Sequence, residues 1–141
     1  LTLLYRSLDR ARSPIEPGLR SLVQVRISQI NGCGFCVDLN SAAAIERHAG
    51  YDKLAVLEDY ERSPLFNETE KAALAYADAM TDSRRHVDDA VFSRLRRAYD
   101  DDAIVALTAL IAFQNMSSKF NAALEVPAQG FCAAPGTQEE I

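Results

Sequence analysis

The stretch Val25-Arg26-Ile27-Ser28-Gln29-Ile30-Asn31-Gly32-Cys33-Gly34-Phe35-Cys36 decides how this chain reads. It ends in two cysteines three positions apart, and what such a pair does depends on the fold around it. Val23, Val25 and Ile27 alternate with Gln24, Arg26 and Ser28, which is strand periodicity. Leu19, Leu22, Val23, Ile27 and Ile30 share one helix face instead. The local pattern leaves both open, and the neighbours decide. No strand series and no βαβ alternation flanks the stretch, so residues 19–30 are expected to be helix and the fold all-α. A thioredoxin-type setting, which needs βαβ units, does not fit.

Upstream, Leu1, Leu4, Tyr5 and Leu8 have helical spacing within residues 1–9, and Ser13-Pro14 and Pro17-Gly18 read as a loop. Downstream, a helix over 33–49 begins at the dithiol and is expected to end at Gly50. A short helix follows, with Asp52 as N-cap and Leu54, Leu57 and Tyr60 on one side. Ser63-Pro64 breaks the chain, and Asn67 with Glu70 has capping-box spacing ahead of the run Ala72 to Met80. Residues 87–99 form an amphipathic helix with Val87, Val91, Leu95 and Ala98 facing in. Asp88 and Asp89 open it, and Arg94, Arg96 and Arg97 lie near its end, facing water. The last helix starts at Asp100 to Asp102 and is apolar on every side from Ala103 to Phe113. Such a helix is buried all round, as the central helix or against another subunit. Residues 126–141, with Pro127, Gly130, Pro135 and Gly136, read as an irregular tail on a single domain spanning 1–141, whose core is 17–125.

The composition narrows the function classes. The chain has 141 residues, 48% hydrophobic and 25% charged, with a net charge of −5. That is soluble globular composition, without the clustered positive charge that nucleic acid needs. No apolar run looks long enough to span a bilayer, so neither nucleic acid nor membrane is expected as a partner. Three cysteines are an odd count for a secreted disulfide framework. A cytoplasmic protein with a transient disulfide fits better.

If Cys33 begins a helix, both thiols lie near its N-terminus and nearly on one face. The unpaired N–H groups and the positive dipole end there favour thiolate, the nucleophilic form. Gly32 and Gly34 leave room beside the sulfurs. One thiol attacks and the other closes a short disulfide; by the dipole argument Cys33 is the more acidic. Two plainer readings compete. Half of a zinc site would need more ligands than Cys132, His48 and His86 offer. A pair of inert, buried small residues is the other. Neither metal nor cofactor is expected, and Cys132 has no visible partner.

The segment Val25 to Cys36 resembles the signature of alkylhydroperoxidase D-like proteins of the carboxymuconolactone decarboxylase family. Ser63-Pro64-Leu65-Phe66 followed by Glu70-Lys71-Ala72-Ala73-Leu74-Ala75 resembles that family's next helix, and residues 17–120 can be laid on its single-domain form. The resemblance implies an all-α fold of about six helices assembled as trimers or hexamers. It also implies hydroperoxide reduction, with Cys36 as the attacking thiol, Cys33 as the resolving one, and a dithiol as reductant. In the family a histidine follows the second cysteine by one turn and a glutamate precedes the first. Here those positions are Asn40 and Ser21. Asn40 hydrogen-bonds but takes no proton at neutral pH, and Ser21 cannot anchor a histidinium. Arg26 is a candidate for lowering a thiol pKa, or a paired structural arginine. Asp38 faces away from Cys36, and His48 lies too far along the helix to reach the thiols. Three functions follow: a thiol redox enzyme acting on hydroperoxides or disulfides, a non-enzymatic helical oligomer for binding, scaffolding or redox sensing, and a decarboxylase of the kind the family is named for.

Overall fold

The computed structural model describes residues 2–8 and 12–133, and among these the only regular elements are helices. They are α1 (Thr2–Leu8), α2 (Pro17–Ile30), α3 (Gly34–Glu46), α4 (Tyr51–Ala55), α5 (Glu68–Thr81), α6 (Asp89–Ala98) and α7 (Asp101–Ala123), with a 3-10 turn at Leu57–Asp59. The expected all-α architecture is what forms, with one more helix than the resemblance suggested. The readings at Leu1 and at residues 134–141, including Pro135 and Gly136, lie outside the described residues.

Pro17 and Gly18 belong to α2 rather than to a loop. Pro17 occupies its first turn, where the missing N–H is no loss. The Glu16 carboxylate accepts from the N–H groups of Gly18 and Leu19, both at 2.8 Å. Leu22, Val23, Val25 and Ile27 are fully buried, each contributing about 2 kcal/mol by removal from water. Of the polar residues that mimic strand alternation, Gln24 and Ser28 are buried as well and Arg26 is half-buried. Gln24 and Ser28 face α7, and Arg26 faces α5. Ser21 accepts from Arg47 at 3.1 Å, and Gln24 donates to Gln114 of α7 at 3.3 Å. Ser28 accepts from Gln114 at 3.0 Å, and Arg26 pairs with Asp78 of α5. The false period of two is thus a set of hydrogen bonds to helices on separate sides.

The most enclosed helix is α2 rather than the apolar final helix: ten of its 14 residues are buried, and it packs on α3, α5 and α7. α7 buries Ile104, Leu107, Leu110, Ile111 and Phe113 but exposes Val105 (68%) and Phe120 (53%). It is also the one helix among the described residues that is long and apolar enough, by length and composition, to cross a membrane, a run the sequence reading had not counted. Tyr5 of α1 rests against Phe113, with ring centroids 5.9 Å apart.

Helix ends follow local chemistry, with two differences from expectation. Asn67 and Glu70 form the capping box at α5, and Asp88 and Asp100 cap α6 and α7. α3 ends earlier than Gly50. His48 takes the left-handed position (φ 61°), and the Ala49 N–H bonds to the Ala44 carbonyl. Gly50 (φ 89°) instead caps α4, and Asp52 sits in that helix's first turn.

Asp78 is the strongest charge anchor in this frame. Its carboxylate accepts from Arg26 Nε at 2.8 Å and Nη2 at 3.3 Å and from the Tyr60 hydroxyl at 3.1 Å. Burial, then the Asp78 charge, pushes the Tyr60 phenol well above its usual range, so it stays a donor. Asp78→Ala should lower unfolding stability in urea by about 3 kcal/mol, because Arg26 is left without its partner. The alkylation rate of the reduced Cys33–Cys36 pair should be unchanged, since Asp78 and Arg26 border neither cavity beside the thiols.

Candidate functional site

The dithiol spans the three-residue junction between α2 and α3 and the first turn of α3. Gly32 adopts φ 66°, a left-handed conformation that favours glycine. The Gly32 N–H bonds to the Gln29 carbonyl at 3.2 Å and the Cys33 N–H to the Ser28 carbonyl at 3.0 Å, closing α2 as a Schellman motif. Cys33 is at once the N-cap of α3. Its sulfur accepts from the Cys36 N–H at 3.1 Å. Cys33 therefore holds the position where a helix N-terminus stabilises negative charge.

Cys33 and Cys36 are joined as a disulfide, with Cα atoms 5.2 Å apart. They are 1% and 3% exposed. The expectation that both sulfurs serve one helix face is corrected here, because Cys33 precedes the helix in an extended conformation. Cys36 opens into a cavity of about 280 Å³ with Tyr5, Phe35, Leu39 and Phe113 as apolar wall. Cys33 opens into a wider one of about 520 Å³ bordered by Ser28, Gly34, Val37, Asp38, Ser41 and Cys132. The two share no lining residue. Helical periodicity explains this: Cys36, Leu39, Asn40 and Ala43 lie on one side of α3, and Gly34, Val37, Asp38 and Ser41 on the other.

The Cys36 cavity is polar at a few points only. Asn121 Nδ2 lies 3.5 Å from the Cys36 sulfur, as a donor that stabilises a thiolate. Thr2, Asn40, Gln114 and Ser117 add to the polar lining, and none is a general base near neutral pH. Ser21 is buried elsewhere, as the acceptor for Arg47, and borders neither cavity. Arg26 is turned toward Asp78 and the Tyr60 ring. His48 and His86 are exposed and border neither cavity. Among the described residues, no three His, Cys, Asp or Glu side chains gather as a metal site.

The sequence left two participants without a role. Asp38, turned away from Cys36 as expected, collects the C-terminal tail. Its carboxylate accepts from the backbone N–H groups of Gln129 (2.9 Å), Phe131 (3.0 Å) and Cys132 (2.8 Å). Gly130, at φ 76°, bends the chain so that these donors converge on one carboxylate. Phe131 adds an edge-to-face contact with Phe35 at 6.2 Å. The tail is thus a strap across α3, and it carries Cys132 to the Cys33 cavity. Burial, then the Asp38 charge, pushes the Cys132 thiol up. For Asp38, burial works to raise the carboxyl, but the N–H groups of Cys132, Phe131 and Gln129 outweigh it and hold it below 3.8.

A depressed carboxyl stabilises the docked strap fully above its free value and loses that contribution as pH falls through the bound one. The Phe131 and Cys132 amide proton shifts should therefore hold steady above the ordinary carboxylate value of 3.8 and move only at lower pH. In Asp38→Asn they should sit at undocked values at every pH, as read by NMR.

Comparison with known proteins follows the same frame. The model of the carboxymuconolactone decarboxylase family matches residues 2–79. An uncharacterized Escherichia coli (strain K12) protein, YnjA, is 47% identical over 128 residues, covering 91% of this chain and 70% of its own. An uncharacterized Bacillus subtilis (strain 168) protein, YdfG, is 30% identical over 115 residues, covering 80% of this chain and 78% of its own. Among solved structures, the debrominase Bmp8 superposes with a TM-score of 0.81 at 28% identity, over 91% of this chain and 68% of that one. A further structure of that debrominase, a cysteine-to-alanine variant, holds 2,3,4-tribromopyrrole. A protein of unknown function from Agrobacterium tumefaciens, named as a candidate antioxidant defence protein AhpD, superposes with a TM-score of 0.84 at 26% identity, over 91% and 87% of the two chains.

Proposed function

The chain belongs to the carboxymuconolactone decarboxylase family, with the alkylhydroperoxidase D-like fold, and from that premise we propose that it is a dithiol oxidoreductase whose Cys36 attacks a small organic oxidant. The observation that carries this reading is the buried Cys33–Cys36 pair with the Cys36 sulfur open to an apolar cavity. It also reconciles the two sequence arguments about the nucleophile. Cys36 meets the substrate, while Cys33, at the helix N-cap, supplies the thiolate that resolves the product.

With a hydroperoxide, the Cys36 thiolate takes the outer oxygen, the O–O bond breaks, and an alkoxide leaves to become an alcohol. Cys33 then attacks the Cys36 sulfur. The S–O bond breaks, and hydroxide departs as water with the proton that Cys33 released. Asn40 and Asn121 orient and donate but hand over no proton readily, so the alkoxide is protonated by water. General acid–base help is typically worth about 10²–10⁴-fold, and peroxide turnover here is slower by that order.

A second reading rests on the aromatic walls Tyr5, Phe35 and Phe113 beside a sulfur that lacks an acid–base partner. The likeness to the debrominase Bmp8 adds support. An organohalide takes two electrons from two thiols, giving the hydrocarbon, halide, a proton and the disulfide. Such a step draws on a nucleophilic sulfur and an apolar slot more than on a proton relay. Decarboxylation of a dicarboxylate is the weakest fit, because no Lys or Arg lines the Cys36 cavity to hold its charges.

The reduced protein, mixed with stoichiometric cumene hydroperoxide or 2,3,4-tribromopyrrole and read by mass spectrometry, should close Cys33–Cys36 with at least one of them. Cys36→Ser should abolish reaction, and Cys33→Ser should stop at a Cys36 sulfenic acid or adduct. Asn40→His should raise the hydroperoxide rate about tenfold, short of the full relay because Ser21 offers no carboxylate. No closure with either oxidant would sink the reading.

The family resemblance also carries an oligomer, and the exposed apolar row Val105, Met116 and Phe120 of α7 is the face we assign to it. Phe120→Glu should shift the mass measured by light scattering to that of the monomer.

A further inference from the structure

The strap raises a separate matter: how electrons return to a disulfide whose two cysteines are 1% and 3% exposed. A protein reductant attacks through a cysteine on its own surface and must bring that sulfur into line with the disulfide it cleaves. Neither Cys33 nor Cys36 offers such an approach. Cys132 does, because it is partly exposed on an irregular surface segment and borders the same cavity as Cys33.

We infer that Cys132 is a third redox thiol of this site, which exchanges with the Cys33–Cys36 disulfide and carries the oxidising equivalent to the surface. The inference rests on the dithiol reading above, and it adds the route of re-reduction. Three observations on the strap support it. Asp38 gathers the backbone donors of Gln129, Phe131 and Cys132 and so fixes Cys132 on the Cys33 side of α3. The two cavities lie on opposite faces of α3, and Cys132 shares the one that Cys33 borders and Cys36 does not. Phe131 against Phe35 holds the strap at a second point.

The exchange balances without an external oxidant. The Cys132 thiolate attacks the Cys33 sulfur, a Cys33–Cys132 bond forms and the Cys33–Cys36 bond breaks. Cys36 leaves as thiolate beside the Asn121 amide, and the proton released by Cys132 passes to solvent. A protein dithiol then attacks Cys132. Cys33 departs as thiolate at the N-cap of α3, where the Cys36 N–H stabilises it as a leaving group. The second thiol of the reductant closes the reductant's own disulfide, frees Cys132 and completes the two-electron return. The strap thus separates substrate entry at Cys36 from electron entry at Cys132.

The test uses the full chain and the general dithiol oxidant diamide, which requires no hydroperoxide or halide chemistry at Cys36. Reduced Cys36→Ser, treated with diamide, should form a Cys33–Cys132 disulfide within one chain, at a rate independent of protein concentration. Peptide mapping and non-reducing electrophoresis read this. Adding Asp38→Asn should slow the closure at least tenfold. Cross-links only between chains, no closure, or closure indifferent to Asp38→Asn would each overturn the proposal. In the second arm, the oxidised protein is reduced by a thioredoxin-type protein dithiol. Cys132→Ser should be reduced about tenfold more slowly than the wild type, and equal rates would overturn the shuttle. Failure to turn over peroxide or bromopyrrole leaves both arms readable, so the two readings fail separately.

Discussion

The geometry of this protein hangs on the junction Asn31-Gly32-Cys33, where one residue serves two helices. The Cys33 N–H closes the last turn of α2 on the Ser28 carbonyl, and the Cys33 sulfur opens the first turn of α3 by accepting from Cys36. Gly32 makes this possible, because a side chain at φ 66° would be strained. With three residues between the helices, α3 must fold back along α2. The reactive pair then sits at the buried end of that hairpin and not on a mobile loop.

α2 in turn is surrounded, and its polar residues hold the neighbours in register. Gln24 and Ser28 engage α7 through Gln114, Arg26 engages α5 through Asp78, and Ser21 receives Arg47 from the end of α3. A buried polar group without a partner is costly, so these contacts specify which face of each helix turns inward. The same arrangement removes Ser21 and Arg26 from the chemistry of the thiols. Both are committed to holding helices together.

A disulfide with two dissimilar sides is the functional consequence. The Cys36 side has aromatic walls and amide donors and no general base. The Cys33 side is wider, lined by small residues, and closed over by a strap that brings Asp38 and Cys132 together. The two cavities follow from the periodicity of α3, which turns Cys36, Leu39, Asn40 and Ala43 to one face and Gly34, Val37, Asp38 and Ser41 to the other.

The all-helical class, the capping of α5, α6 and α7, and the position of the dithiol at a helix start were legible in the sequence. Each depends on residues within about four positions of one another. The strand-like alternation of Val23 to Ser28 was misleading because period two and period 3.6 overlap over so few residues, and only packing on three sides shows what each polar side chain meets. His48 displacing Gly50 as the stop of α3 is local too, yet it breaks the usual preference for glycine. Asn121 beside Cys36 and Cys132 bound to Asp38 are separations of 85 and 94 residues. No periodicity links such positions. By itself, then, the sequence determined the helical class, the caps of α5, α6 and α7 and the paired cysteines, because those follow from short-range backbone chemistry. Only the tertiary structure decided which helix is most enclosed, which sulfur faces which cavity and where the tail returns, because those depend on long-range contacts made after the helices have packed.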